Sequence, residues 1–167
     1  MRARLNIHLI DRAGATVAQR NASNSVMRAG ADLIARLFAG SGTPITHMGV
    51  GISDAPETDT FATAALTNTP VGGAEPLQGE VEAAIPAEAF SVALDEVRRV
   101  VRVRVRGTLP AAAAVGVVRE AGLISRSGEN AVLYNRVIFA PIIKGDDHEL
   151  TLFWEIDFPY GDLQGAF

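Results

Sequence analysis

The sequence predicts an α+β, mainly β chain: an antiparallel, β-sandwich-like domain with one amphipathic helix at about residues 25–39. Three observations carry that expectation. Several segments alternate polar and apolar residues, a single stretch shows helical spacing, and glycine-, proline- and aspartate-bearing clusters punctuate the rest.

Arg2 to Ile10 alternates, so Leu5, Ile7 and Leu9 share one side of a half-buried strand, and Asp11-Arg12-Ala13-Gly14 reads as its turn. The period then changes. From Ser25 to Ala39 the apolar positions Val26, Ala29, Leu33, Ile34, Leu37 and Phe38 recur every three and four residues, with Arg28, Asp32 and Arg36 on the opposite face. Asn24 or Ser25 is expected to cap this helix, Gly40 to close it in a left-handed conformation, and Gly42 and Pro44 to prevent its continuation.

Ile45 to Ile52 returns to strand character, and an acidic loop, Ser53 to Thr60, follows. Residues 67–88 read as an extended, irregular connection, of the kind that is often mobile or reaches a neighbour. The second half is strand-rich. Ala89–Leu94 and Val97–Leu109 are expected to pair about a bend at Asp95-Glu96, and Ala112–Ile124 to form a strand interrupted at Glu120-Ala121-Gly122. A turn at Ser125–Asn130 leads into a strand at Ala131–Phe139. Lys144-Gly145-Asp146-Asp147 then turns into His148–Phe158, with Leu150, Leu152, Trp154, Ile156 and Phe158 on one face. The reading is one domain, 1–167, with a carboxyl-terminal tail at 159–167.

Composition narrows the function classes. With 15 basic and 19 acidic residues the net charge is −4, which disfavours nucleic acid as a partner. There is no cysteine, so thiolate chemistry and disulfides are excluded. No segment reaches the roughly 18–20 unbroken apolar residues of a membrane helix, and Arg2, Arg4, Asn6 and His8 break any secretory signal at the start.

The motifs that could carry chemistry each have a plainer explanation. Asp146-Asp147-His148-Glu149 could offer oxygen ligands to a hard cation, but a polar hairpin turn accounts for the same residues. Asp54, Glu57 and Asp59 lack the ligand alternation of a calcium loop and read as a solvated loop. Gly49-Val50-Gly51 lacks the third glycine and the following helix of a dinucleotide fingerprint, so close backbone packing in a strand is the better account. Asn21-Ala22-Ser23 matches a glycosylation acceptor only by accident in a chain without a secretory signal. No pair of titratable groups stands out as catalytic, and no metal or cofactor is implied.

Arg98 to Arg106 is the most unusual stretch. In a strand, Val101, Val103 and Val105 face the core while Arg102, Arg104 and Arg106 share the other side. Three readings stay open: a phosphate-binding stripe, cross-strand pairing with Glu149, Glu155 and Asp157, or a contact with another subunit. Phe153 stands on the polar side of the last strand, and Tyr160 and Phe167 are apolar residues in the tail. Together with the three arginines they are the candidate interface residues, and the 67–88 connection and the tail are expected to contribute to intersubunit contacts.

The order of pieces resembles a family of small bacteriophage tail-associated proteins, and the amino-terminal modules of some tail-fibre and collar proteins. It is carried by Asn24–Gly40, Ile45–Gly51 with the acidic loop after it, Glu120–Leu123, Leu133–Phe139, Pro141–Lys144 and Asp146–Phe158. Residues 67–110 match no part of that pattern. The resemblance implies a structural subunit of a tail or tail-like particle: a baseplate, collar or fibre-attachment component made in the host cytoplasm and resident in the virion. It implies a non-enzymatic homo-oligomer, a trimer being one order open to it, that assembles with other virion tail proteins. A capsid decoration protein and a host-glycan-binding fibre module are the alternatives; with aromatics at 6% the second has few side chains to draw on.

Overall fold

In the computed structural model, which describes residues 2–161, the alternating segments become strands of two antiparallel sheets. The first sheet runs in the order β2 (Thr16–Ser23), β1 (Arg2–Ile10), β11 (Glu149–Pro159), β7 (Val100–Leu109) and β6 (Phe90–Asp95). The second runs β3 (Ser25–Val26), β10 (Asn135–Lys144), β8 (Gly116–Ser127), β4 (His47–Gly51) and β5 (Glu82–Ala84), with β9 (Asn130–Leu133) also paired to β8. The mainly β, sandwich-like class with a single α-helix, α1 (Arg28–Phe38), is therefore as the sequence predicts.

Register explains the core. Leu5, Ile7 and Leu9 of β1 lie opposite Trp154, Leu152 and Leu150 of β11, so their side chains stack on one face of the first sheet. Met48 and Val50 of β4 lie opposite Leu123 and Ala121 of β8 and meet them from the second sheet. Each large apolar side chain removed from water here contributes about 1.5–3 kcal/mol. Arg20 of β2 closes one side of the sandwich by donating to the carbonyls of Ala140 and Pro141, 3.3 and 3.2 Å away, beside the β10 bulge where proline has no N–H to offer β8.

The outer face of the second sheet is covered as well. Met27, Ile124 and Leu133 form a small apolar cluster there with Leu66. Gly51 is needed under this cover, because a Cβ would stand 2.6 Å from the Thr67 carbonyl, whose oxygen accepts the Ile52 N–H at 2.9 Å. Gly51 thus serves close backbone packing, as expected, whereas a Cβ at Gly49 would meet only side chains, the nearest being Ile124 Cδ1 at 3.0 Å. Among the described residues the outer face of the first sheet carries no such layer.

Several elements differ from expectation. β2 was not anticipated: as an edge strand it holds only Val17, Ala18 and Ala22 as apolar residues, too few for an alternation signal. The helix begins at Arg28 because Ser25 and Val26 pair with Arg136 and Asn135 instead. Neither Asn24 nor Ser25 caps it. Met27 is the N-cap with no side-chain bond, and the Phe61 carbonyl accepts the Arg28 N–H at 2.9 Å. Gly40 does close it, at φ +70°. Phe38, placed on the apolar face by spacing, is 92% exposed, while Gly30 and Leu33 are the buried helix residues.

β8 runs unbroken through Glu120, and the strand expected at 131–139 divides at Tyr134, which accepts the Met27 N–H and donates its own N–H to the Leu123 carbonyl. The 67–88 connection is extended but anchored on its own chain. Leu77 and Ile85 enter the core, and Asn68 brackets Leu77 with bonds of 2.7 and 3.1 Å. Its exposed stretch is residues 69–73, between the anchors at Asn68 and Leu77.

Candidate interaction surface

The uncovered face of the first sheet is built by strand parity. Odd residues of β11 and even residues of β1 and β7 point outward, so Arg106, Phe153 and Asn6 form one cross-strand row and Arg104, Glu155 and Arg4 the next. The arginine stripe therefore meets the acidic residues of the last strand. Arg102 donates from Nε and Nη2 to both carboxylate oxygens of Asp157, at 2.6 and 2.9 Å, and its Nε lies 3.1 Å from Glu155. Hydrogen bonding to Asp157 raises the Arg102 pKa against the opposing effect of burial, and the same bond holds the Asp157 carboxyl below the usual carboxylate range. Glu149 lies beyond this pairing, opposite Ile10 of β1.

The stripe is not spent evenly. Among the described residues Arg104 has only Glu155 at 3.9 Å, and Arg106 has no ion pair, because its cross-strand neighbour is Phe153. Phe153 in turn packs edge-on against His8, ring centres 5.3 Å apart at 74°. Arg104, Arg106, Phe153, Asn6, His8 and Thr108 line an open groove of about 870 Å³, walled on one side by the segment around Pro86–Phe90. Tyr160 lies off this groove, past the end of β11, where its N–H bonds the Arg99 carbonyl at 3.0 Å. Phe167 lies outside the described residues. The structure thus brings Arg104, Arg106 and Phe153 together, assigns Arg102 to Asp157, and leaves Tyr160 apart.

A stronger surface sits at the edge of this sheet. β6 is the terminal strand, and the β6–β7 hairpin runs past the short β5, so among the described residues nothing covers its inner face. Val92 and Leu94 are 69% and 58% exposed, and Val97 in the turn is 96% exposed. Register puts Val92 opposite Val103 and Leu94 opposite Val101, so the valines of β7 extend the same apolar strip. The sequence reading paired these two strands correctly but did not select Val92, Leu94 or Val97. Alternation identifies an inward face, whereas the length of the opposing sheet decides whether that face is covered.

Elsewhere a cluster of charged side chains around Arg136 holds the fold. Arg136 donates from Nε to Glu120 Oε2 at 2.5 Å, and from Nη1 to Glu57 Oε1 at 2.6 Å and to the Ala55 carbonyl at 2.9 Å. Glu120 Oε1 accepts the Thr67 N–H at 2.7 Å, and Glu57 Oε2 accepts the Thr63 hydroxyl at 2.7 Å. Glu57 is therefore not a solvated loop residue: it is drawn inward by a buried guanidinium. Asp54 pairs with Arg119 at 3.2 Å. Among the described residues no three His, Asp or Glu side chains gather closely enough to hold a metal ion, and Asp146-Asp147 forms part of the β10–β11 turn. Among the described residues no helix is long and apolar enough to cross a membrane. Comparison with family models, curated proteins and solved structures gave no match.

Proposed function

We propose that this chain is a structural subunit of a bacteriophage tail or tail-like particle, a baseplate, collar or fibre-attachment component that acts by protein–protein assembly and performs no catalysis. The observation that carries the assembly reading is the apolar strip of Val92, Leu94 and Val97 on an unpaired, uncovered strand edge. The buried ion pairs support it from the other side. Arg136, Glu120 and Glu57 lock one loop to the second sheet and make a rigid block, as a building unit requires. The tail setting rests on the resemblance of Asn24–Gly40, Ile45–Gly51 and Asp146–Phe158 described above.

The test is whether the chain resides in particles. Particles from cells carrying its gene are banded on a density gradient and probed with an antiserum against the purified protein. The expected result is co-sedimentation with the particle band; a chain found only in the unsedimented fraction overturns the proposal. The groove floored by Phe153 favours one second reading, a glycan-binding module, since an aromatic ring beside arginine, asparagine and histidine suits a sugar face. A glycan array bound by the native chain and not by Phe153→Ala would support that reading.

A further inference from the structure

We infer that a second copy of this chain pairs with it along β6, antiparallel and across a two-fold axis through Ala93, joining two five-stranded sheets into one of ten. This rests on the assembly reading above and names its partner and its contact. Three observations point to it.

The first is the strand itself. Phe90–Asp95 contains no proline, lysine or bulge that would blunt an edge, and among the described residues it is the free end of its sheet. The second is apolar matching. With Ala93 opposite Ala93 of the second copy, Val92 falls opposite Leu94 and Leu94 opposite Val92, so both exposed side chains of each copy are covered by their counterparts.

The third is charge. The same register sets Ser91 opposite Asp95 of the second copy, and Ser91 already lies opposite Arg104 of its own β7. Arg104 and the second copy's Asp95 are then two strand spacings apart, about 9.6 Å at the backbone, with only a serine side chain between them. Both groups have capacity to spare. Among the described residues Arg104 has Glu155 at 3.9 Å, and Asp95 uses Oδ1 for the Arg98 N–H while Oδ2 has only Arg98 Nε at 3.9 Å. An isologous contact of this kind consumes the edge, so it builds a dimer or a dihedral assembly and is absent from a purely cyclic trimer.

The chain has no cysteine, so a single introduced thiol reports the contact. Opposed residues of an antiparallel pair have Cα atoms about 4.5–5.5 Å apart, within the span a disulfide accepts. Ala93→Cys, at an exposed position, is expected to form a disulfide-linked dimer under mild oxidation at concentrations where Ala13→Cys, in the exposed β1–β2 turn, stays reduced. Val92→Lys with Leu94→Lys, also at exposed positions, is expected to weaken association at least tenfold. Cross-linking of Ala93→Cys no faster than the control overturns the edge pairing, as does undiminished association of the double lysine variant. Association that persists without the Ala93 cross-link sinks this contact alone and leaves the assembly reading standing. A chain that cross-links through Ala93 yet never enters particles keeps this contact and sinks the tail setting.

Discussion

Arg136 Nε and Glu120 Oε2 meet at 2.5 Å from adjacent strands, β10 and β8, with both side chains closed off from water. Burial acts to lower the Arg136 pKa, but hydrogen bonds to Glu120 and then Glu57 outweigh it, so the pKa is raised and the guanidinium stays charged. The cluster holds the 53–67 loop against the second sheet, and that loop in turn supplies the Phe61 carbonyl to the first turn of α1. The two ion pairs of Arg136 thereby link the second sheet, the loop and the start of α1.

Removing one partner should be costly. Arg136→Met leaves the Glu120 carboxylate buried without its counter-charge, and a loss of about 3–5 kcal/mol is expected. Urea denaturation measures it. Pairing Arg136→Met with Glu120→Gln should recover part of the loss; an unchanged unfolding midpoint for the single variant would contradict the role given to the pair.

Gly30→Ala should run against helix propensity. In an exposed helix the change is worth about 1 kcal/mol in favour of alanine. Here the new Cβ would run into the Tyr134 carbonyl, so a net destabilisation of about 1–3 kcal/mol is expected from overpacking. Chemical denaturation decides the sign, and a stabilised variant would refute the packing described for α1.

The Arg102–Asp157 bond should show in the pH dependence of stability. Arg102 holds the Asp157 pKa below its ordinary value, so the contribution is present above the unfolded carboxyl pKa of about 3.9 and is lost as pH falls through the lower folded value. The stability gap between the native chain and Arg102→Gln should therefore narrow below about pH 4. Denaturation at pH 7 and pH 3 tests this, and a gap equal at both values would contradict it.

Arg106 should behave unlike Arg102 although both belong to one stripe. Arg106 is exposed and lies across from Phe153, so Arg106→Ala should change stability by no more than about 0.5 kcal/mol. Arg102→Ala, which frees two carboxylate oxygens, should cost clearly more. Equal losses in parallel melts would show that the stripe acts as one unit.

Alternation made β1, β7 and β11 legible, and parity offered Glu149, Glu155 and Asp157 as one of three open partners for the arginine stripe; the β7–β11 register, which keeps the two-residue period without a bulge, selects Asp157 and Glu155 for Arg102 and Arg104. Gly40 marked the end of the helix because its left-handed conformation is a local requirement. Long-range facts were hidden. Glu120 looked like a break in β8 because its neutralising arginine lies sixteen residues on and belongs to another strand. Ser25 and Val26 looked helical until β10 supplied a partner, and β2 needed few apolar residues to sit at an edge. Of the candidate surface, Arg104, Arg106 and Phe153 could be read from the pattern. Val92 and Leu94 could not, since their exposure follows from the shortness of β5.

Sedimentation equilibrium of the purified chain over a range of concentrations tests the assembly claim most directly. A mass well above the 17.6 kDa of one chain, rising with concentration toward a closed oligomer, is the predicted result. A single species of 17.6 kDa at every concentration would contradict it.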